Sequence, residues 1–597
     1  MAIIWSNWNH EPIDHLRRMG DSRISVFTLG EWLPQWYDRL HGEELIAKAA
    51  EMGINTIYTH FFKGFGLVHE HDDMERMREF IRYAHAHGVE VIGYCQLGTL
   101  YYETMLDEVP DLEDWIARDR NGDFLTYGGL PHYYRWRPCF ESREFIAYFK
   151  RVLSYGVEHV GLDGFHFDNS QVRECYCPRC QQAFRDYLTA QIPNPREVTG
   201  LAHFRNVRIP PLLDGDEVHD PLCLWRGRFR HDQLVRAQTE IFDYVKAIGG
   251  KYVLHNPGLL RPDFRRAFDP QRNPASCDFV FAENSNYIRV EGEKTITQIL
   301  SFKLGERFGF RVFDAPWMHK DGDYLIPDDR DTIDRFLTQG MIYGNITGAP
   351  WFVRSRKTGD RVIMDDPAHA EIAARAFAYF KDHAALYDSV SAPRARLLYA
   401  TDSFYGLACG FTDFTDAASM LEAHGVPYTV ITASELVEVN PGELVVLANM
   451  PFVPRGQYDA IASAYRRGVR FLRLGRYGLY NEHGKERDHA DPIRDLSALP
   501  DILTELPDDV RVIVSVPGIL VETRVTRTGK LALHLLRADN TDTLPEVTAT
   551  LTDARVTGTA RLYSVDDGCA LRACTVDHGT ARLTVTGLHT MASIEFR

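Results

Sequence analysis

The chain has 597 residues, of which 45% are apolar and 25% are charged, a composition typical of globular proteins. One hydrophobic core cannot grow to this length, so we expect three or four domains. The formal net charge of −16 at pH 7 argues against a nucleic-acid partner, because proteins that bind nucleic acid present a basic surface.

Membrane and secretion signals are the next features to consider. No run of 18 apolar residues occurs, which argues against a membrane span and a membrane partner. The start, MAIIWSNWNHEP, lacks the basic region and the long apolar region of a signal peptide. Ten cysteines are too few for a disulfide framework in a chain of this length. We therefore expect a cytoplasmic protein with reduced thiols.

From residue 23 to about 352, short β-rich runs alternate with amphipathic helices. The predicted strands are RISVFTL from 23, INTIYTHFF from 54, VEVIGYCQ from 89, GLDGFHFD from 161, YVLHNPG from 252, DFVFAEN from 278, RVFDAPW from 311 and YGNITGAPW from 343. Eight strand–helix units predict a parallel sheet with right-handed crossovers, and eight strands close a (β/α)8 TIM barrel. An open doubly wound sheet is the alternative, although no G-x-G-x-x-G follows the first strand.

Two of the intervening helices have clear apolar faces and candidate caps. The first spans 71–87, where Asp72 or Asp73 is expected to cap its start. The second spans 142–155 and is expected to begin at Ser142. Helical spacing of this kind places the apolar face of each helix against the sheet.

An insertion and two further domains are predicted beyond these units. The segment 191–229 lacks a clear period and is long for a loop, which indicates a lid or insertion near the barrel mouth. We expect residues 1–392 to form the barrel and residues 393–504 to form a flavodoxin-like α/β domain with strands ARLLYA, PYTVIT, ELVVLAN and VRFLRLG. Alternating polar and apolar residues in 505–597 predict a small C-terminal β-sandwich.

Polar and aromatic residues follow the predicted strands, at the end of a barrel where catalytic groups lie. These candidate substrate-binding residues are His60, Gln96, Arg137, His166, Asn169, His255, Asn256, Asn284, Trp317, His319 and Trp351. Three acids share the same strand ends, namely Asp168, Glu283 and Asp314. Two carboxyl groups on either side of a glycosidic bond can hydrolyse it, one as acid and one as nucleophile or base.

Each of these three acids could also have a role other than hydrolysis of a glycosidic bond. An acid at a strand end can pair with an arginine or cap a helix, although no exposed charge is otherwise expected after the apolar run that ends at Asp168. Asp168 could also bind a catalytic metal together with His60, His166 and His255. The first predicted strand, RISVFTL, lacks the H-x-H pair that accompanies such metal sites.

A cluster of cysteines follows Asp168 closely. Cys175, Cys177 and Cys180 form a C-x-C-x-x-C motif, whose spacing suits a tetrahedral thiolate site for zinc. Cys139 or Cys223 could supply a fourth ligand, and three free thiols are the alternative. Closed thiolate sites are structural, and no organic cofactor is expected.

The segment CYCPRCQQAFRDYL, directly after the strand-four acid, resembles that of family 42 glycoside hydrolases of the β-galactosidase type. In that family an upstream cysteine completes a structural zinc site, which here implies Cys139. The resemblance covers essentially the whole chain, and it implies a barrel, a glutaminase-like trimerisation domain and a β-sandwich. It also implies a homo-oligomer, either a trimer or a dimer, and a zinc that braces the loop leaving strand four.

The acids depart from that family. Family 42 enzymes carry Asn-Glu at the end of strand four, whereas this chain carries Asp168-Asn169. The pattern DGFHFDN resembles instead the strand-four nucleophile of α-galactosidase and related retaining α-glycosidases, whose acid/base lies on strand six, where this chain has Glu283.

We therefore expect a retaining exo-glycosidase of carbohydrate metabolism that cleaves a small oligosaccharide or glycoside. In this interpretation Asp168 is the nucleophile and Glu283 is the acid/base. One alternative is a β-galactosidase-like clan A hydrolase that uses Asp168 as acid/base and Asp314 as nucleophile. Another is a barrel that binds carbohydrate without cleaving it. The sequence does not identify the sugar or its anomer.

Overall fold

The computed structural model describes residues 3–8, 12–19, 33–128, 134–171, 173–211, 215–257, 268–285, 288–291, 294–316, 319–320, 323–324, 330–345, 349–350, 367–407, 410–487, 506, 508–538 and 546–597. Eight parallel strands form one sheet in the order β7-β6-β5-β4-β3-β2-β1-β8. They are β1 Trp5–Asn7, β2 Thr56–Phe62, β3 Glu90–Gln96, β4 Gly164–Asp168, β5 Tyr252–His255, β6 Phe279–Ser285, β7 Arg311–Pro316 and β8 Ala349–Pro350. Because β8 pairs with β1, the first and last strands meet as in the predicted (β/α)8 barrel.

The first barrel strand differs from its prediction. Trp5–Asn7 pairs with β2 on one side and with β8 on the other, so it takes the place of the first strand, whereas the predicted strand RISVFTL lies outside the described residues. Residues 20–32 lie outside the described part of the chain. A three-residue strand is too short to show a period, whereas RISVFTL has the composition of a strand.

Helices cover the outer face of the barrel sheet. Their bounds are Ile13–Met19, Leu33–Leu40, Glu43–Glu51, His71–Ala86, Tyr102–Glu108, Arg143–Ser154, Pro178–Gln191, Pro195–Thr199, Pro221–Ala247, Ile299–Phe308, Arg330–Gln339, Pro367–Asp382 and Ala384–Tyr387. The loops contain three two-stranded ribbons. They are formed by Leu100–Tyr101 with Arg135–Trp136, Arg289–Glu291 with Lys294–Ile296, and His319–Lys320 with Asp323–Tyr324. None of the helices in the described ranges is both long enough and apolar enough to cross a bilayer.

One of the two predicted helix caps is confirmed. Ser142 Oγ accepts a hydrogen bond from the backbone N–H of Phe145, as an N-cap does. The helix His71–Ala86 begins instead after Glu70, which makes no side-chain cap, so the prediction for Asp72 or Asp73 is wrong. Both aspartates lie in the first turn, where their charges favour the positive end of the helix dipole.

The segment 191–229 is an insertion beside the loop that leaves β4, one of the two forms predicted for it. It contains Pro195–Thr199 and the start of the long helix Pro221–Ala247. It contacts the region after β4, where the N–H of Ile209 donates to Gln181 Oε1 at 2.9 Å and Arg226 pairs with Glu174. It also contacts the second α/β unit, where Trp225 Nε1 donates to His483 and Arg228 pairs with Asp402 at 2.9 Å. Apart from the five-residue helix Pro195–Thr199, this segment is helical only from Pro221, which explains why its sequence lacks a clear helical period.

Two smaller sheets follow the barrel. The second α/β unit is a four-stranded parallel sheet in the spatial order Tyr428–Ile431, Ala395–Leu398, Leu444–Phe452 and Arg470–Tyr480, with helices Thr401–Gly406, Gly410–Ala423 and Arg455–Arg466. The β-sandwich has one sheet of Ser389–Ser391, Ile519–Thr526, Leu531–Arg537, Met591–Phe596 and Ala560–Ser564. Its other sheet contains Ile513–Val514, Val547–Thr552, Thr580–Thr586 and Ala570–Asp577. This order of barrel, α/β unit and β-sandwich is the predicted one.

The three units meet around one buried lysine. Lys303, on the barrel helix Ile299–Phe308, is 2% exposed. Its Nζ lies 2.6 Å from Glu522 Oε2 in the β-sandwich and donates to the carbonyl oxygen of Tyr428 in the α/β unit at 2.5 Å. Tyr343 also donates to Glu522. Buried charges of this kind are stable only while both partners are present.

Replacement of Lys303 by Met is therefore expected to leave Glu522 buried without its cation. We expect the free energy of unfolding to fall by about 3–5 kcal/mol, measured by urea denaturation. The matched control is Lys530→Met, which removes a partly exposed partner of Glu595 in the same β-sandwich and should cost less than about 1 kcal/mol. Equal effects of the two substitutions would contradict a joining role for Lys303.

Candidate active site

The inner face of the barrel is built by alternate residues of its strands. Tyr58 on β2, Leu254 on β5 and Phe281 on β6 belong to one buried apolar cluster. His166 on β4 packs against two of these rings. The centre of its ring lies 4.8 Å from that of Tyr58 and 4.8 Å from that of Phe281. Asp168 lies two residues after His166 and therefore on the same face of β4, at its carboxyl end.

The carboxylate of Asp168 is held by donors from three neighbouring strand ends. Its Oδ2 accepts a hydrogen bond from Tyr94 Oη at 2.5 Å and another from Asn169 Nδ2 at 2.6 Å. Its Oδ1 accepts a hydrogen bond from Asn256 Nδ2 at 2.9 Å. The amide of Gln96 also lies against this cluster, within hydrogen-bond distance of Tyr94 Oη. The structure thus brings together Asp168, Asn169, Gln96, His166 and Asn256 of the predicted site.

The surroundings of Asp168 favour its charged form. Burial raises the pKa of this carboxyl, but electrostatic interactions with His166 and Lys63 and the hydrogen bond from Tyr94 act in the opposite direction. The net effect is that the pKa of Asp168 lies below its ordinary value. A nucleophile or a charge-stabilising group needs this ionised state, whereas a general acid needs a raised pKa.

Asn169 has a backbone conformation that most residues avoid. Its φ is +52°, in the left-handed region, which Asn tolerates better than other residues with a side chain. Its carbonyl oxygen accepts a hydrogen bond from Arg173 Nη2 at 2.6 Å, and the same nitrogen donates to the carbonyl of Gly98. A Cβ at Gly98 would lie 2.2 Å from that nitrogen, so only glycine fits there. Arg173 therefore fixes the turn that leaves β4.

The predicted cysteine cluster forms two residues beyond Arg173. The sulfur atoms of Cys139, Cys175, Cys177 and Cys180 all lie within 4.8 Å of one another, and all four side chains are buried. Cys139 Sγ lies 3.5 Å from Cys180 Sγ and 3.7 Å from Cys177 Sγ, which excludes disulfides between these pairs. Cys223, the other candidate for the fourth position, lies outside the cluster in the first turn of the helix Pro221–Ala247.

Two of the predicted site residues face away from the barrel interior. His255 belongs to the outer face of β5, where its ring packs against Phe242 and Phe268. Burial lowers the pKa of His255 to about 3. Asp314 is also buried, and its Oδ2 accepts a hydrogen bond from Gln339 on the outer helix Arg330–Gln339.

Arg137 and His60 also have partners outside the immediate surroundings of Asp168. Arg137 donates to the carbonyl oxygens of Thr126 and Tyr127. His60 Nε2 lies 3.6 Å from Glu70 Oε2 at the end of β2. Because His255 faces outward, the predicted alternative of a metal held by His60, His166, His255 and Asp168 is not formed. The cysteine cluster is the one candidate metal group found in the described ranges.

The other predicted residues belong to β6, β8 and the loops beside them. Glu283 and Asn284 lie near the end of β6, and His319 lies in the strand His319–Lys320, but the structure describes only their backbones. Trp317 and Trp351 lie outside the described residues. Glu283 is two positions after Phe281, which packs in the barrel interior.

Sequence reasoning missed Tyr94, which donates the shortest hydrogen bond to Asp168. A signal for it was present, because Tyr94 lies two positions before Gln96 on β3 and alternation places both on one face. Lys63 was visible only as a polar residue after β2, and its position depends on a local irregularity of that strand.

Part of the chain is similar to a known family and to known proteins. Residues 34–247 match the model of glycoside hydrolase family 42, described as beta-galactosidase, which confirms the predicted resemblance. Beta-galactosidase from Thermus thermophilus is 31% identical over 173 residues, which are 26% of this chain and 25% of that protein. The chain thus spans about a quarter of the length of the curated relatives it matches.

Solved structures resemble the whole chain. Beta-galactosidase from Bacillus circulans sp. alkalophilus superposes with a TM-score of 0.70 at 13% identity, over 100% of this chain and 99% of that one. Alpha-L-fucosidase isoenzyme 2 from Paenibacillus thiaminolyticus superposes with a TM-score of 0.67 at 14% identity, over 100% of both chains. At these identities the similarity shows the fold, a barrel followed by an α/β unit and a β-sandwich.

The lowered pKa of Asp168 predicts a pH dependence of stability. A carboxyl whose pKa is lower in the folded than in the unfolded protein stabilises the fold above its unfolded pKa of about 3.9, and this contribution disappears as the pH falls through the folded value. We expect wild type to lose stability relative to Asp168→Asn as the pH falls from 6 towards 3, measured by thermal denaturation of both proteins. A stability difference between the two proteins that is independent of pH would contradict a lowered pKa of Asp168.

Proposed function

We propose that this protein is a retaining exo-glycoside hydrolase that acts on a small oligosaccharide or glycoside. The observation that carries the proposal is the ionised, hydrogen-bonded carboxylate of Asp168 at the carboxyl end of β4, where barrel enzymes place catalytic groups. The family match over residues 34–247, which include Asp168, supports the same reaction class.

In the proposed first step, Asp168 attacks the anomeric carbon while the bond to the leaving oxygen breaks. A second carboxylic acid gives its proton to that oxygen, and a covalent glycosyl ester forms on Asp168. In the second step, water attacks the same carbon. The former acid now acts as a base and takes a proton from this water. The ester bond to Asp168 breaks, and the sugar leaves with its original anomeric configuration.

The hydrogen bonds of Asp168 favour one of its oxygens as the attacking atom. Oδ2 accepts bonds from Tyr94 and Asn169, which occupy its two lone pairs, and Gln96 Nε2 also lies 3.3 Å from it. Oδ1 accepts one bond, from Asn256, among the described residues. We infer that Oδ1 attacks the sugar and that Oδ2 anchors the carboxylate.

Glu283 is the proposed acid/base. It lies in β6, two strands from β4 in the sheet and close to the carboxyl end of its strand. The clan A alternative needs Asp314 as nucleophile, but the bond of Asp314 to Gln339 on an outer helix argues against that role. A barrel that only binds carbohydrate is the other alternative, and an assay for hydrolysis distinguishes it.

Neither Asp168 nor Glu283 identifies the sugar that the enzyme would cleave. The family description is beta-galactosidase, and one structure of the same fold is an alpha-L-fucosidase. The Asp168-Asn169 pair differs from the Asn-Glu pair on which the family resemblance would base a β-galactosidase assignment. We therefore propose to assay aryl glycosides of β-D-galactose, α-D-galactose and α-L-fucose side by side.

A structural zinc site is proposed at Cys139, Cys175, Cys177 and Cys180. A tetrahedral Zn–S4 site with bonds of about 2.3 Å has sulfur atoms about 3.8 Å apart, close to the distances found here. Gln233 Nε2 donates to Cys180 Sγ and supports the cluster from outside. Bound zinc would fix the loop to the segment around Cys139 without taking part in the reaction.

Assembly and compartment are further parts of the proposal. The α/β unit presents the exposed apolar residues Val437 and Tyr465, which support self-association into a trimer or dimer through this unit. The unpaired thiols of the described cysteines are consistent with a reducing cytoplasm. The proposed partner is a carbohydrate substrate, without an organic cofactor.

Substitution of the two carboxyl groups is expected to separate their roles. Asp168→Asn should lower kcat/KM by about a thousandfold or more with every active aryl glycoside, because no ester can form. Glu283→Gln should cost about 10²- to 10⁴-fold with poor leaving groups and much less with activated aryl glycosides, which need little protonation.

Azide should restore activity to a small-residue variant of Glu283 with retained configuration and to Asp168→Gly with inverted configuration, read by NMR of the product. A harmless Glu283→Gln together with an inactive Asp314→Asn would favour the clan A alternative. No hydrolysis by wild type of any glycoside tested would favour the binding alternative.

The metal proposal predicts about one zinc per chain in purified protein, measured by elemental analysis. Cys177→Ser should remove the zinc and lower the thermal midpoint, because it breaks the closed thiolate site. Cys574→Ser, in the β-sandwich, is the matched control and should change neither quantity. Fully stable wild-type protein without zinc would contradict the proposal.

A further inference from the structure

A β-bulge in β2 turns Lys63 towards Asp168. The register of β2 against β3 shifts by one residue between His60 and Phe62. Alternation is therefore reversed beyond this point, and Phe62 packs against Phe149 on the outer helix layer. Lys63 enters the barrel interior instead, where it is 3% exposed and its Nζ lies 3.1 Å from Tyr94 Oη. Bulges beside active sites often redirect a side chain in this way.

The backbone at Lys63 is held by a buried carboxyl group. Glu70 is 2% exposed, and its oxygens accept hydrogen bonds from the N–H groups of Lys63 at 2.7 Å, Gly64 at 3.0 Å and Phe65 at 2.7 Å. Gly64 has a φ of +98°, and a Cβ there would lie 2.5 Å from the carbonyl oxygen of Thr99. The loop therefore has little freedom, and Glu70 fixes the position from which the lysine side chain extends.

The contact between Lys63 and Tyr94 decides the direction of the next hydrogen bond. An ammonium group can only donate, so the Tyr94 oxygen accepts from Lys63. A tyrosine hydroxyl carries one proton, and here that proton is directed to Asp168 Oδ2, 2.5 Å away. Lys63, Tyr94 and Asp168 thus form a chain of donors that ends on the carboxylate.

We propose that Lys63 is a positioning residue that fixes the Tyr94 hydroxyl as a donor to Asp168 and holds this carboxylate ionised, with Oδ1 directed to the sugar. Its role as an aid to the nucleophile rests on the proposed function, whereas its effect on the ionisation of Asp168 does not. Among the described residues, the other charged or titratable groups nearby are His60 and Glu70 beside Lys63 and His166 and Arg173 beside Asp168.

Infrared difference spectroscopy across a pH titration tests the effect directly. The carboxyl band of Asp168 is identified by its loss in Asp168→Asn. In Lys63→Met, the protonation midpoint of Asp168 should rise by about one pH unit or more. Lys63→Arg should stay closer to wild type because it keeps the charge. Lys251→Met is the matched control, since Lys251 pairs with Glu90 at the opposite end of the barrel and should leave the midpoint unchanged.

Tyr94→Phe provides a second variant if Lys63→Met does not fold, and it should also raise the midpoint. An unchanged midpoint in the folded variants would overturn the proposal for Lys63.

Kinetics then separate this inference from the proposed function. The acid limb of kcat/KM for an activated aryl glycoside should move upward together with the infrared midpoint. At a pH below the wild-type midpoint, kcat/KM of the variant should be about tenfold lower than that of wild type for each pH unit by which the midpoint rises. A raised midpoint with an unmoved acid limb, or a wild type inactive on every glycoside, would count against Asp168 as nucleophile while supporting the role of Lys63 in its ionisation.

Discussion

The carboxylate of Asp168 lies where three neighbouring parallel strands end, and groups from each of them hold it. Tyr94 comes from β3, Asn169 follows Asp168 on β4, and Asn256 follows β5. Charge in an apolar barrel interior is costly unless donors compensate it, so these strands must keep their register for the site to exist. Lys63, brought inward by the bulge of β2, adds the positive charge that favours ionisation.

The loop that leaves β4 also helps to fix the position of Asp168. Arg173 holds the carbonyl oxygen of Asn169, and two residues later Cys175 begins the cluster with Cys139. A metal in that cluster would fix the far end of the same loop. If the proposed zinc binds there, the proximity of the strand-end acid and the cysteine cluster has a physical reason, because the metal would stabilise the turn that orients the acid.

The sequence predicted those features that depend on local motifs. The strand that ends at Asp168 and the C-x-C-x-x-C motif are both contiguous, and the structure places them as expected. Features that depend on the face of a strand were harder to predict. His255 and Asn256 are adjacent, yet only Asn256 reaches Asp168, because alternation sends His255 to the outer helices.

Two other differences have similar causes. The first strand has only three residues, Trp5–Asn7, and its role follows from pairing with β2 and β8 rather than from its own pattern. Lys63 points inward because of a bulge, and a bulge leaves no clear mark in a sequence. Asp314 was a candidate because it lies near a strand end, but its partner Gln339 belongs to an outer helix.

In the proposed mechanism, Asp168 forms a covalent bond with the sugar. Incubation with a 2-deoxy-2-fluoro glycosyl fluoride of the preferred sugar should slow the second step and trap the ester. Mass spectrometry of the digested protein should then find one fluorosugar on the peptide that contains Asp168 and none in Asp168→Asn. A label on Glu283 or Asp314, or turnover of the substrate without any trapped ester, would contradict the role of Asp168 as nucleophile.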